Sequence, residues 1–469
     1  MTLTCTIYVD DEVNCRVGGL RPEHSEILWE KFGVFVDGYM HMPSFQLRRW
    51  DGKIRFFDKT GKTYTKILDE ILPYICSWGY EIDIDDKRKP AQIIDFVVDE
   101  HILNNEFKIR PYQVDVINSL LCEGCGFAIC ATGSGKTLMT SVVSLILWQH
   151  NIHTIVIVPS SDLVKQTVDE YKKFLDQYDV SIGEFSGSSK DADHPIVVAT
   201  WQSLQNHPEM MTYFQAVIVD EAHGTKADVI KKLINDYGRH ISYRYGCTGT
   251  YPKPKTDQYS LKLSIGRIVS EVPASWLIAN GYLSEITIEP VETIDVDPGL
   301  PEYSSERSYL TGHDERNEML ANMIQELRAK YGNTMVLVNT QSLAQGRAIS
   351  DLIPGSVYLD GGSKSILRQE EYSKFADQND ICVIASAGIA ATGLSIDRIF
   401  CLVLLDPGKS FTRCIQAVGR GLRKKGDKNK IYVVDVYSKL KFAKKHWADR
   451  KKYYLEAQYP MITTRKVKY

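Results

Sequence analysis

The chain has 469 residues, with 56 lysines and arginines against 59 aspartates and glutamates, for a formal net charge of -3. At 43% hydrophobic and 25% charged it is long enough for two or three cored domains and too apolar for wholesale disorder. The near-neutral balance excludes a protein that grips polyanions by bulk charge, but local basic patches stay open. Ten cysteines are scattered, and Cys122 and Cys125 form a lone C-x-x-C with no second pair, so reduced thiols are expected rather than a zinc site. No run reaches the roughly 18–20 apolar residues that span a bilayer. The start, Met1 to Cys5, lacks the basic and apolar regions of a secretory leader, so a cytoplasmic setting with no membrane partner is expected.

Taken in order, residues 1–100 carry no nucleotide motif and read as a small α+β domain. Thr4 to Val9 alternates like a strand and Glu23 to Phe32 reads as a short helix. In Phe45 to Phe57 an Asp51-Gly52 pair between two β-type runs predicts a hairpin. Arg49, Trp50, Lys53 and Arg55 interleave basic and aromatic side chains there, which suits a nucleic-acid surface and equally a half-exposed sheet over a small core. The acidic stretch Glu81 to Pro90 reads as the approach to a linker.

From about 105 onward, apolar runs at Phe127–Cys130, Thr154–Val158, Ile196–Ala199, Ala216–Val219 and Tyr245–Cys247 alternate with helical stretches. After an acidic segment, Glu289 to Glu302, a second series follows at Thr334–Val338, Val357–Leu359, Ile381–Ile384, Ile399–Leu405 and Ile431–Val434. Such runs suit parallel sheets covered on both faces, so the predicted class is α/β, with two tandem parallel-sheet lobes. The expected boundaries are 101–285 and 286–445, followed by a basic tail, 446–469. From Lys439 onward ten lysines and arginines face two acids; Lys444, Lys445, Arg450, Lys451 and Lys452 near Trp447, Tyr453 and Tyr454 fit either a solvated helix face or a grip on a phosphate backbone.

Residues 131–137 read Ala-Thr-Gly-Ser-Gly-Lys-Thr between a strand and an apolar helix, the setting of a phosphate loop for ATP. Thr132, Gly133, Ser134 and Gly135 would turn backbone N–H groups toward phosphate oxygens, and the helix adds its positive end. Lys136 would reach the β- and γ-phosphates, and the Thr137 hydroxyl would ligate Mg2+. The strict pattern wants glycine at position 130, where this chain has Cys130. Asp220 and Glu221 follow an apolar strand, at the end where parallel sheets place ligands. Asp220 would hold Mg2+ through water, and Glu221 would orient and deprotonate the attacking water. Arg420 and Arg423, three apart, fall on one helix side, and such arginines are worth roughly 10³–10⁵ in rate when they meet a transferring phosphoryl group.

With these motifs in this order, residues 107 to 436 resemble superfamily 2 helicases. The resemblance implies RecA-like lobes and ATP with Mg2+ as fuel. Gln113, in Arg110-Pro111-Tyr112-Gln113, would read adenine, and Gly393 would line the ATP site. Thr200 and Trp201 in the first lobe, and Thr340, Gln341 and Thr392 in the second, would touch the nucleic-acid backbone. His223, Thr248, Thr250 and Gln416 would couple nucleotide state to that surface. Ser395 stands where many relatives carry aspartate. The Trp50-Asp51-Gly52-Lys53 stretch ahead of a compact motor resembles phage recombination helicases of the UvsW type. That implies an accessory DNA-binding domain, branched or double-stranded DNA as partner, branch migration, and a monomer acting in the cytoplasm (the host's, if phage-encoded). An RNA-directed helicase, the motor subunit of a restriction system (though no nuclease-like array stands out) and a catalytically inactive branched-DNA binding protein stay open on the residues alone, as do single-stranded DNA and RNA as partners.

Overall fold

The computed structural model describes residues 3–103, 107–187, 189–220, 227–249, 251–252, 254–390, 398–405 and 429–469, without the side chains of 227, 228, 365, 389 and 390. The alternating run near the start forms β1 (Leu3–Val9), which turns Cys5, Ile7 and Val9 into the core. It pairs antiparallel with β2 (Asn14–Gly18). Helix α1 (Pro22–Lys31) follows, then β3 (Gly33–Phe35), the helical turn α2 (Pro43–Gln46), β4 (Lys53–Arg55), β5 (Lys62–Tyr64), α3 (Leu68–Ser77) and β6 (Tyr80–Asp86). One four-stranded sheet has the order β5-β2-β1-β6, and β3 with β4 makes a separate ribbon. Two expectations need correction here. The predicted hairpin across Asp51-Gly52 does not form: Pro43 opens a helical turn instead of a strand, Arg48 turns the chain at φ 54°, and Lys53–Arg55 pairs with Gly33–Phe35. The acidic stretch after Glu81 is no linker at its start, because Tyr80–Asp86 runs parallel to β1 as a charged edge strand.

The next lobe contains α4 (Pro111–Glu123), β7 (Cys125–Cys130), α5 (Lys136–Gln149), β8 (Thr154–Val158), α6 (Ser161–Leu175), β9 (Ile182–Ser186), β10 (Ser189–Asp191), β11 (Ile196–Thr200) and α7 (Trp201–Asn206). It continues with β12 (Ala216–Asp220), α8 (Ala227–Lys232), β13 (Tyr243–Thr248), α9 (Lys255–Ser264) and β14 (Ile268–Val272). The sheet order is β10-β9-β11-β8-β12-β13-β7-β14, and its central pairs are parallel. All five predicted strands are present, and their apolar runs supply the core residues Phe127, Ile155, Val197, Val217 and Val219. The flanking strands β9 and β14 escaped the sequence because their glycine and polar residues break the apolar signal.

Helix α9 ties this sheet to the N-terminal sheet. Leu263 sits in the same apolar cluster as Phe56, Phe57 and Ile71, Phe56 stacks on Tyr259 at 4.9 Å, and Lys262 Nζ lies 2.5 Å from Glu70 and 3.1 Å from Asp69. Fully buried Arg244 on β13 donates to the Ser264 carbonyl at 3.0 Å, which holds the other end of α9.

The remaining lobe runs α10 (Ala274–Ala279), β15 (Glu285–Thr293), α11 (Tyr303–Thr311), α12 (Asp314–Tyr331), β16 (Thr334–Val338), α13 (Leu343–Leu352), β17 (Ser356–Leu359), α14 (Ser365–Asp377), β18 (Cys382–Ser386), α15 (Ala387–Ala390), β19 (Cys401–Leu405) and β20 (Lys430–Ser438). A C-terminal helix, Lys441–Glu456, and β21 (Arg465–Val467) complete it. Its sheet, ordered β17-β18-β16-β19-β20-β15-β21, is parallel at every described pair. The chain divides into two compact units, residues 1–130 with 135–271, and 131–134 with 272–469. The acidic segment expected between lobes begins inside β15.

The basic tail is part of this fold and not an appendage. Ala443, His446, Trp447, Arg450 and Tyr454 form the buried face of the C-terminal helix, and β21 adds to the sheet edge. Arg450 makes a bidentate pair with Asp435 at 2.8 and 2.9 Å, so Arg450, Trp447 and Tyr454 are withdrawn from any phosphate grip. The Glu306 carboxylate accepts from the Phe442 and Ala443 amides, capping the helix from 136 and 137 residues away. Lys444, Lys445, Lys451 and Lys452 stay on the exposed face.

Candidate nucleotide site and nucleic-acid surfaces

Strand β7 ends at Cys130 and α5 begins at Lys136, so the glycine-rich loop occupies the turn between them. Gly133 and Gly135 adopt φ of +86° and +88°, a region open to glycine. A Cβ at Gly135 would lie 2.3 Å from Gln113 Nε2, so the backbone there has no room for a side chain. Gln113 is held in place because its Oε1 accepts from the Arg110 amide at 2.9 Å, capping α4. The start of α5 has no side-chain cap and no carboxylate in its first turn. Its leading N–H groups and positive helix end therefore suit an anion. Lys136 is half-buried, with Nζ 3.4 Å from the Cys130 carbonyl.

Position 130, where the strict pattern has glycine, closes strand β7. Cys130 is a strand residue, fully buried, and burial pushes its thiol up to about 11 while Lys136 pulls it the other way. It stays neutral at ordinary pH, and its main-chain carbonyl is what meets Lys136.

Asp220 ends β12 and Thr248 ends β13, and the registers Asp220↔Cys247 and Thr248↔Ile129 set both beside the end of β7. Three predicted groups, from positions 130–137, 220 and 248, thus gather at the carboxyl ends of three neighbouring strands. Asp220 is half-buried and Thr248 fully buried. Tyr171 from α6 is buried behind them; burial above all holds its phenol well above the ordinary range, against the pull of the Thr140 and Ser144 hydroxyls and with a smaller push from the Asp220 carboxylate. The loop fits a triphosphate on these grounds. Among the described residues, Thr137 at the start of α5 and Asp220 at the end of β12 carry side-chain oxygens, the donor type that Mg2+ takes. Glu221, His223, Thr250, Thr392, Gly393, Gln416, Arg420 and Arg423 lie outside the described residues.

The expected nucleic-acid contacts fare differently from one another. Thr200 is 3% exposed and caps α7, accepting from the Ser203 amide at 3.2 Å, while Trp201 is 9% exposed and packs into the lobe core. Exposed Gln202 is the side chain that this turn presents outward. Thr340 and Gln341 follow β16; Gln341 is exposed and accepts from Arg307, a residue the sequence did not single out. In the N-terminal domain Lys53 pairs with Glu30 at 2.9 Å. Arg55 pairs with Asp51 at 2.5 Å and lies over the Trp29 ring at 4.0 Å. The Trp50 indole donates to the Lys53 carbonyl at 2.8 Å. Of the four residues proposed there, Arg49 alone is both well exposed and without a carboxylate partner among the described residues.

Residues 106–253 match the family model described as type III restriction enzyme, res subunit, and residues 315–425 match that of the helicase conserved C-terminal domain. The chain is 26% identical over 450 residues to the ATP-dependent DNA helicase uvsW of Enterobacteria phage T4, covering 90% of this chain and 88% of that one. It is 25% identical to putative helicase 22 of a Sulfolobus islandicus filamentous virus, covering 76% and 69%. Among solved structures, a fragment of a putative HsdR subunit of a type I restriction enzyme from Vibrio vulnificus superposes with a TM-score of 0.59 at 17% identity, covering 88% of this chain and 78% of that one, a likeness of fold. Among the described residues no helix is long and apolar enough to cross a membrane. A phosphate loop, a strand-end aspartate and two parallel-sheet lobes matched in order by these two domain models place the chain in the superfamily 2 helicases, ATP-dependent motors with tandem RecA-like domains.

Proposed function

We propose that this protein is an ATP-driven DNA helicase or translocase that remodels branched DNA, by branch migration or fork and displaced-strand processing, in recombination, repair and replication. The observation that carries this reading is the likeness to the T4 uvsW helicase over nine-tenths of the chain. The proposed domains are an accessory DNA-binding domain to about residue 100, two motor lobes, and a C-terminal segment. The proposed working form is a cytoplasmic monomer.

In the proposed cycle the amides of the loop and of the first turn of α5 bind the phosphates, and Lys136 supplies positive charge toward the β- and γ-phosphates. Thr137 and Asp220 would hold Mg2+, whose charge offsets that of the phosphate oxygens. Glu221 orients and deprotonates the attacking water, and Arg420 and Arg423 steady the charge on the departing phosphoryl group. Thr248 sits on the strand whose chain leads to α9, and α9 packs on the N-terminal domain through Leu263, Tyr259 and Lys262, so loss of the γ-phosphate contacts would reach that domain through this packing. Phosphate contacts carry no base information, so binding should follow DNA structure and salt.

The test is ATP hydrolysis and unwinding with single-stranded, blunt duplex, forked and four-way DNA and RNA counterparts. Stimulation that is greatest with branched DNA supports the proposal. Stimulation by RNA alone overturns it, and no hydrolysis with any polymer would return the protein to a passive binder.

A further inference from the structure

The α2 turn and the chain returning from it shape an open groove lined by Met40, Phe45, Arg48, Arg49, Trp50 and Asp51. Its surroundings are unusually apolar for a free surface: Met40 is 60% exposed and Leu47 62%. The aromatic floor is braced. Phe45 meets Tyr39 edge-on at 4.7 Å, Tyr39 stacks on Phe35 at 4.7 Å, and a Cβ on Gly52 would come within 2.4 Å of the Tyr39 ring. The Trp50 indole is fixed through its bond to the Lys53 carbonyl.

The charge in the groove is sorted by tertiary pairing. Asp51, its one acid, is occupied by Arg55, and Lys53 is occupied by Glu30. Arg48 and Arg49 are exposed and meet no carboxylate among the described residues. The result is two free guanidinium groups beside an aromatic and thioether surface. This pairing suits a nucleotide whose base is unstacked: π-faces accept a base of any identity, and guanidinium groups take the adjoining phosphates. A paired duplex keeps its bases stacked inside and offers this surface only phosphates.

We propose that this groove holds an unpaired nucleotide at the branch point, and that it gives the N-terminal domain its preference for branched over blunt DNA. The proposal rests on the DNA reading above and names the substrate feature that reading leaves open. The experiment uses the full chain, with fluorescence anisotropy on a labelled fork and on a blunt duplex of equal length across a salt series. A second fork carries 2-aminopurine at the branch. For Arg48→Ala/Arg49→Ala the ratio of fork to duplex affinity should fall about tenfold, and the slope of log K against log salt on the fork should drop by about 1.4, the value for two single-strand phosphate contacts. In Met40→Asp the 2-aminopurine signal of the bound complex should return toward that of the free fork. An unchanged melting temperature shows that each variant is folded. Equal losses on fork and duplex, or no loss on either, would overturn the groove as a branch reader. If the wild-type protein binds no DNA at all, the DNA reading fails with it. If it binds and prefers forks while both variants keep that preference, only the groove assignment fails.

Discussion

Gly135→Ala puts the phosphate loop to its sharpest test. Two costs follow from the structure. An alanine at φ +88° strains the backbone by about 1–2 kcal/mol. Its methyl would lie 2.3 Å from Gln113 Nε2, and Gln113 cannot simply swing away, since it is buried and its Oε1 caps α4 through the Arg110 amide. Losing that bond costs about 0.5–1.5 kcal/mol. Together, about 2–3 kcal/mol against the ATP-binding form of the loop corresponds to roughly 30- to 140-fold in ATP affinity. The assay is titration with a fluorescent ATP analogue, for Gly135→Ala, Gln113→Ala and the double variant. The double variant should be less impaired than the sum of the two singles, because the clash is then gone and only the backbone strain and the lost cap persist. A Gly135→Ala protein within threefold of wild type, or strict additivity, would refute the contact and the loop geometry with it.

Lys136→Ala should lower ATP turnover by about 10²–10³-fold and Glu221→Gln by about 10²–10⁴-fold, while DNA affinity measured by anisotropy holds. Arg450→Met strands the buried Asp435 carboxylate with the Tyr454 hydroxyl as its remaining described partner. It should cost about 3–5 kcal/mol, a fall of roughly 6–20 °C in the melting of the second unit, and Asp435→Leu in the same chain should recover most of it. Lys262→Glu sets a carboxylate against Asp69 and Glu70, and should lower the melting temperature by about 2–4 °C and weaken stimulation of the ATPase by DNA; adding Glu70→Lys should restore much of both. That exchange is gentler than deleting the N-terminal domain, which would bare Leu263 and Tyr259. At pH 8, iodoacetamide should label exposed Cys122 and spare Cys130 until the chain is unfolded. Because burial raises the folded-state thiol of Cys130, its contribution to stability is whole below the ordinary thiol value of 9.0 and lost as pH climbs through about 11.

Local patterns carried the motor. The glycines, lysine and threonine of 131–137 act within one turn, and the strand cores announce themselves as unbroken apolar runs, so neither needs distant partners to be read. That Asp220 and Thr248 end neighbouring strands follows from the order β12-β13-β7, which no stretch of sequence contains. Side-chain fate was the least legible. Trp201 and Arg450 look like surface residues from their neighbours, yet one fills a core and the other meets a carboxylate fifteen residues back along the chain.

The sequence alone determined that two parallel-sheet lobes follow a small mixed domain, and that a phosphate loop and a strand-end acid pair lie in the order a helicase requires. Tertiary structure alone decided which charges are free to act. Lys53, Arg55 and Arg450 are neutralised by Glu30, Asp51 and Asp435, whereas Arg48 and Arg49 are left facing solvent. The reason is physical: a charge is quenched by whatever lies within a few ångströms in space, and for Lys53 and Arg450 that neighbour arrives from 23 and 15 residues away.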